Sequence, residues 1–359
     1  MDKFAKRPAE DRRAFFAESA ARRDLTEIIV EKDFWVCWTM RRLFGAEELA
    51  GILTFKGGTS LSKAYGIIKR FSEDIDLTIT RSAPILRDVP HLMEEGVSSN
   101  ERQRRGKALS RAAQAFVETV VLPALDRAVT MALDTGEGWT LELDPDDKDG
   151  QTILFNYPAT AGYGFDYGNN YGGSGGTGYV KPRIKLEFGA RGDPEPFEPI
   201  EIQPYVAEDF PDELPHAATV VPTLAIERTY WEKATILHAL HHSGKFRPGL
   251  SRHYYDVFML DAAGMTARAI TERSLLEQVV RNKRLMFADA KASYETAVLG
   301  SLRLSVPEAM RGELAADYAA MAEMFMEPPP GLDELVERIA AIEAVLNAPP
   351  EEVREEGRN

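Results

Sequence analysis

The sequence contains one cysteine, Cys37, in 359 residues. A single thiol excludes an intramolecular disulfide and a Cys-based zinc site, and it fits a reducing, cytoplasmic setting. No run of about 18 apolar residues is present, so no membrane span is expected. The opening MDKFAKRPAEDRRAFF has no apolar core of the kind a signal peptide needs. Net positive charge is missing too: 43 Lys and Arg face 57 Asp and Glu, a formal charge of −14. That excludes a chain that coats nucleic acid through overall charge, but not one with a local basic groove. The acid excess is uneven. Residues 142–149, 193–213 and 327–356 hold 22 of the acids and three of the bases, leaving the remainder at +5. Apolar residues make up 44 %, enough for a sizeable core, and the length favours two domains.

Residues 10–45 carry a helical pattern, with Phe15, Phe16, Ile28, Ile29, Phe34, Trp35, Trp38 and Leu43 at three-to-four spacing and Gly45 at its end. Residues 51–56 read as a buried strand, broken by Gly57-Gly58. A helix is expected over 59–68 and an alternating strand over 75–80. Residues 88–133 are helical, with a basic patch at Arg102, Arg104, Arg105, Lys107 and Arg111. Strands are expected at 139–143, 152–157 and 183–188. A Gly/Tyr/Asn-rich stretch, 158–179, is too glycine-rich for a regular element. Residues 192–222, rich in proline and acid, read as a linker. Helices follow, with breaks near 244–251, 305–307 and 327–331. The coarse reading is a mixed α/β domain over 1–205 and an all-α domain over 206–359.

The chemistry concentrates in Phe55–Leu77, FKGGTSLSKAYGIIKRFSEDIDL. A strand enters Gly57-Gly58 and a helix starts at once. Glycine lets backbone N–H groups approach a ligand, helix N-termini favour anions, and Ser60 adds a hydroxyl, so the turn can cradle phosphate. It can equally be an ordinary turn. Asp74 and Asp76 are two apart on a strand and share a face. Two adjacent carboxylates repel unless a cation or solvent offsets them, and Mg²⁺ favours a few carboxylates with phosphate and water. In Arg183-Ile-Lys185-Leu-Glu187-Phe the charged residues take one face. Glu187 would join the aspartates if the strands are neighbours, and Arg183 and Lys185 would add positive charge near a triphosphate. A solvated strand face explains the same pattern.

After Pro222, Ile226, Tyr230, Lys233, Leu237 and Leu240 share a helix face. Lys233 there either snorkels to water or reaches across a cleft to a phosphate. Asp256 interrupts the apolar run Tyr254–Leu260 and needs a partner, with Arg252 and Lys233 as candidates. A structural ion pair is the alternative.

Together these residues resemble the AbiEii/AbiGii nucleotidyltransferase toxins of type IV toxin–antitoxin and abortive-infection systems, with the MenT toxins as relatives. The resemblance rests on Glu31-Lys32-Asp33, Phe55-Lys-Gly-Gly-Thr-Ser-Leu with Tyr65, and Arg70-Phe-Ser-Glu-Asp-Ile-Asp-Leu77. It continues in Arg183–Glu187, Glu232-Lys233 and Arg252-His-Tyr-Tyr-Asp256. It implies an α+β, polymerase-β-like nucleotidyltransferase domain with a mixed sheet, followed by an all-α helical domain. It implies Mg²⁺ or Mn²⁺ on Asp74 and Asp76, with Glu187 as a third ligand, and an NTP as substrate. Phosphate and nucleotide contacts fall to Lys56, Gly57, Gly58, Thr59, Ser60, Ser72, Arg183, Lys185, Lys233 and Arg252. Lys233 and Asp256 join the aspartates as catalytic residues. The family points to tRNA acceptor ends, growth arrest and a cognate antitoxin. Residues 102–111, Lys245, Arg247 and Arg252 are candidate RNA-backbone contacts, and Tyr157 through Tyr179 candidate stacking rings; solvated helix and loop faces, and a mobile loop, explain the same residues. Nucleotidyl transfer to a protein or an aminoglycoside, and an inactive nucleotide-binding module, are the alternatives.

Overall fold

The computed structural model describes residues 1–72, 74–94, 96–134, 136, 138–160 and 182–349. The architecture is mixed α+β around one seven-stranded mixed sheet. In chain order come α1 (Asp2–Ala5), α2 (Ala9–Arg23), α3 (Glu27–Phe44), β1 (Leu53–Lys56), the short α4 (Gly57–Thr59) and β2 (Asp74–Ile79). Then follow α5 (Ser99–Phe116), α6 (Leu122–Leu133), β3 (Thr140–Leu143), β4 (Thr152–Asn156), β5 (Arg183–Gly189), β6 (Phe197–Ile202), α7 (Tyr205–Asp209) and β7 (Thr219–Leu224). The remaining helices are α8 (Ile226–Ser243), α9 (Ser251–Ala262), α10 (Met265–Thr271), α11 (Arg273–Met286), α12 (Arg311–Ala320) and α13 (Leu332–Asn347). Contacts divide the chain into two compact units. One comprises Met1–Ile226 with Glu323–Pro328; the other runs from Glu227 to Ala322 and from Pro329 onward. The first unit holds the whole sheet. Among the described residues, no helix is long and apolar enough to cross a membrane.

Local chemistry sets the helix ends. Thr26 caps α3 by accepting from the Ile29 amide at 3.4 Å. Ser98 caps α5 by accepting from the Glu101 amide at 3.2 Å, and Glu101 stands at the position a capping box requires. A π turn over Val117–Val121 joins α5 to α6 just before Pro123, whose ring cannot donate to the preceding turn.

The strand order is β3-β4-β5-β2-β1-β7-β6. β2 lies between antiparallel β1 and parallel β5. Alternation gives the sheet two unlike faces. Phe55, Ile75, Leu77, Phe155, Ile184 and Leu186 are buried on one of them. There α3 covers the sheet: Trp38 stacks on Phe155 with ring centroids 6.0 Å apart, and Trp35 on Tyr157 at 5.4 Å. The opposite face carries Lys56, Asp74, Asp76, Lys185 and Glu187.

Two sequence expectations are corrected. The helix expected over 59–68 stops early: α4 continues as a π turn over Ser60–Ala64, and Gly66 then takes a φ of +66°. The expected linker at 192–222 contains strand β6, the short helix α7 and the start of β7, so the sheet extends past residue 205 to Leu224. Its composition misleads because β6 is an outer strand, where acid and proline are tolerated. Pro199 faces Pro222 across the β6–β7 ladder, so both missing donors fall at one rung. The Gly/Tyr/Asn stretch from residue 161 onward lies outside the described residues.

Trp38 is fully buried. Replacing it with Ala should lower stability by about 3–5 kcal/mol. Urea unfolding checks this as a lower midpoint with an unchanged slope.

Candidate active site

β1 delivers the chain to Gly57, which adopts a φ of +84°. Only glycine takes that conformation readily. Space demands it as well. A Cβ at residue 57 would overlap the Asp76 carboxylate, with Asp76 Cγ at 2.7 Å. A Cβ at residue 58 would lie 2.7 Å from Ser72 Oγ and 2.8 Å from Arg70 Nη2. Both glycines are therefore imposed by side chains that the 70–76 segment lays on the turn. Thr59 fastens the same contact, its hydroxyl donating to Asp74 O at 2.5 Å and Ser72 O at 3.1 Å. Ser60 is fully buried and donates to Gly57 O at 2.9 Å. Its hydrogen is thus committed to the turn rather than presented to a ligand.

The turn is anchored from behind by residues that sequence reasoning did not pair. Lys63 Nζ lies 2.7 Å from Asp33 Oδ1 on α3, and each side chain is 6 % exposed. Asp33 Oδ2 also accepts from the Tyr205 amide at 2.7 Å. The Lys63 ammonium stands 3.8 Å from the Tyr205 ring centroid. Burial opposes the lysine's charge, yet the Asp33 carboxylate prevails and raises its pKa. The signal was there: an aspartate inside an apolar helix needs a cation.

Strand register assembles the polar face. Asp76 pairs with Lys56 on β1 and with Glu187 on β5, while Asp74 pairs with Lys185. The three carboxylates expected together do lie on adjacent strands of one face, interleaved with lysines. Glu187 is held by Lys185 at 2.6 Å. Burial works against the Lys185 charge, but Glu187 and Asp74 outweigh it and raise its pKa. Among the described residues, no three His, Cys, Asp or Glu side chains are grouped to hold a metal ion. The expected three-ligand set is therefore not formed, because Lys185 takes the third carboxylate. Asp74 and Asp76 remain suited to an ion that accepts two carboxylates and completes its shell with phosphate and water. Asp76 lies in a cradle that a Cβ at residue 57 would fill. Arg183 is half-buried on the same face, paired in register with Asn156.

In the second unit, Lys233 Nζ lies 2.9 Å from Asp256 Oδ2 and 3.3 Å from His253 Nδ1. Lys233 is buried rather than snorkelling, and Asp256 is fully buried. Arg252, the other expected partner, is exposed.

Other candidates separate. Arg102 donates to the Leu92 and Val97 carbonyls, Arg104 pairs with Glu101, and Arg105 pairs with Glu94 and Glu101. Much of that basic patch is therefore neutralised within the chain; Lys107 and Arg111 are exposed. Tyr157 is buried under Trp35 and offers no stacking surface. The tyrosines from Tyr163 to Tyr179 lie outside the described residues.

The family model for the nucleotidyl transferase AbiEii toxin of type IV toxin–antitoxin systems matches residues 38–345. The chain belongs to the AbiEii toxin family. No curated protein matches it. Among solved structures it is similar to MenT4, a nucleotidyltransferase toxin from Mycobacterium tuberculosis H37Rv. That likeness has 16 % identity, covers 94 % of this chain and 99 % of the other, and has a TM-score of 0.39. The AbiEii match takes in the glycine turn, the aspartate strand and the Lys233–Asp256 pair, but begins after Asp33.

Asp33→Asn and Lys63→Met should each cost about 3–5 kcal/mol, because either leaves a buried charge alone. The double substitution should cost less than the two losses added together. A double-mutant cycle in urea measures the difference.

Proposed function

We propose that this AbiEii-family protein transfers a nucleoside monophosphate from an NTP to a hydroxyl of an RNA acceptor, the tRNA 3′ end, in a polymerase-β-like domain. The observation that carries the reading is the Asp74–Asp76 face set directly on the Gly57-Gly58 turn. The family supports the reaction class. A bound Mg²⁺ or Mn²⁺ would polarise the α-phosphate and lower the pKa of the attacking hydroxyl. Asp74 and Asp76 would hold it. The acceptor oxygen attacks the α-phosphorus, the bond to the bridging oxygen breaks, and pyrophosphate leaves. The hydroxyl proton passes to a carboxylate or to solvent. Backbone N–H groups of Gly58 and Thr59 would receive phosphate oxygens, as the open first turn of a helix does. Lys56 and Lys185, flanking the aspartates, offset the negative charge gathered on this face. Ser72 and Arg70 keep Gly58 in place, and Arg183 would serve the nucleotide. The toxin's growth arrest follows from blocked tRNA ends, and its partner would be a cognate antitoxin.

The test is incubation of the full chain with Mg²⁺ and each α-labelled NTP, with total tRNA, cell protein or aminoglycosides as separate acceptors. Label is expected in tRNA, lost on chelation, and reduced at least about 100-fold in Asp76→Asn, which keeps the shape against Gly57. Label confined to protein or aminoglycoside overturns the RNA reading. Nucleotide binding without transfer to any acceptor overturns the enzyme.

Lys233 and Asp256 are retained as essential residues. A Lys233→Met/Asp256→Leu double variant removes both charges without leaving either buried alone. It should fold, as judged by circular dichroism, and transfer no label. Full activity in the folded double variant would reduce the pair to a structural role.

A further inference from the structure

The chain as a whole repels a polyanion, so an RNA acceptor needs local cationic surface. Residues 102–105, the most basic stretch of the first unit, largely satisfy their own charges. The second unit differs. Residues 243–255, from the end of α8 into α9, hold Lys245, Arg247 and Arg252 and no acid. All three side chains are exposed. Among the described residues, none of them has a carboxylate within 4 Å in an ion pair.

A second basic segment lies at the end of α11. Leu275, Leu276, Val279 and Val280 bury one side of that helix. The other side presents Arg281 and Arg284, one turn apart and exposed. Lys283 and Lys291 bring residues 281–291 to four bases against the single acid Asp289. Asp289 is engaged locally, its Oδ1 accepting from the Lys291 amide at 2.9 Å. Phe287 is 37 % exposed amid these cations, and Lys283 Nζ lies 5.2 Å from its ring centroid. Within this unit, His238 of α8 contacts Ser293 O at 3.0 Å, tying the chain that follows α11 to α8.

We propose that the second unit docks the sugar–phosphate backbone of the RNA acceptor through these two segments, Lys245–Arg252 and Arg281–Lys291. The inference rests on the RNA reading above and deepens it. Exposed cations spaced along a loop and a helix end match a chain of phosphates. One accessible aromatic ring among them suits an unpaired base. A protein partner would need a larger apolar patch, and Phe287 is the one large exposed apolar side chain on α11 and its following turn.

The experiment measures labelled tRNA binding to the full-length Asp76→Asn protein across a salt series, so that binding is read apart from transfer. Four forms are compared: no further change, Lys245→Gln/Arg247→Gln, Arg281→Gln/Arg284→Gln, and Arg104→Gln as a surface control. Each double variant should weaken binding about 10-fold at moderate salt. Each should also make the slope of log affinity against log salt shallower by about 1.4, two phosphate contacts at about 0.7 each. The control should match the parent. Circular dichroism confirms that all forms fold. Unchanged affinity and slope in both double variants overturns the proposal. So does failure of the parent to bind tRNA at low salt, including the case where it captures an acidic polypeptide instead. If tRNA binding shows the predicted losses while the wild-type protein transfers no label to it, the docking surface stands and the proposed reaction falls.

Discussion

The absence of two side chains governs the centre of this molecule. The Asp76 carboxylate occupies the space that a Cβ on residue 57 would need, and Ser72 and Arg70 occupy the space beside residue 58. Glycine at position 57 is thus a condition for β2 to approach β1 with Asp76 against the turn, and glycine at position 58 leaves room for Ser72 and Arg70. The positive φ of Gly57 is the backbone half of the same condition. Thr59 and the Asp33–Lys63 pair hold the turn in that geometry from two further directions. The Asp74–Asp76 strand, the turn and α3 therefore form one connected arrangement.

The sequence was informative where a single period decides the outcome. The strict alternation of Arg183–Phe188 placed its charges on one face and its apolar residues on the other, and β5 does so. The D-x-D spacing put Asp74 and Asp76 side by side for the same reason. What periodicity cannot supply is which strands are neighbours. That Asp76 stands opposite Glu187 is a fact of β2–β5 pairing, and that Lys185 captures Glu187 depends on rotamers. Composition misled at residues 192–222, because an outer strand tolerates the acids and prolines that also mark linkers. At 102–105 composition shows the arginines but not their partners, because the acids that pair with them lie one turn away or in the preceding loop. Asp33 and Lys63 are 30 residues apart, and only tertiary packing brings them together.

The charge of the polar face follows one rule. Carboxylates crowded on a sheet repel, and here each is paired in register with, or ion-paired to, a lysine: Lys56 opposite Asp76, Lys185 opposite Asp74 and bonded to Glu187. The face is thereby near neutral. On such a face a charged ligand would meet a group of opposite sign beside one of like sign, so position rather than net charge would select it. Lys233 and Asp256 repeat the rule in the second unit, as a buried pair of opposite charges.

Residues 323–328 return from far along the chain to the first unit. There the Phe71 amide donates to Met324 O at 2.6 Å, and the Met326 amide to Lys69 O at 2.9 Å. These bonds lie directly before Ser72, on the segment that lays Arg70 over Gly58. A ribosome delivers residues 323–328 about 250 residues after Ser72. The backbone support of the glycine turn is therefore completed long after the turn itself has been made, and a nascent chain carries the aspartate strand before it carries the segment that braces it.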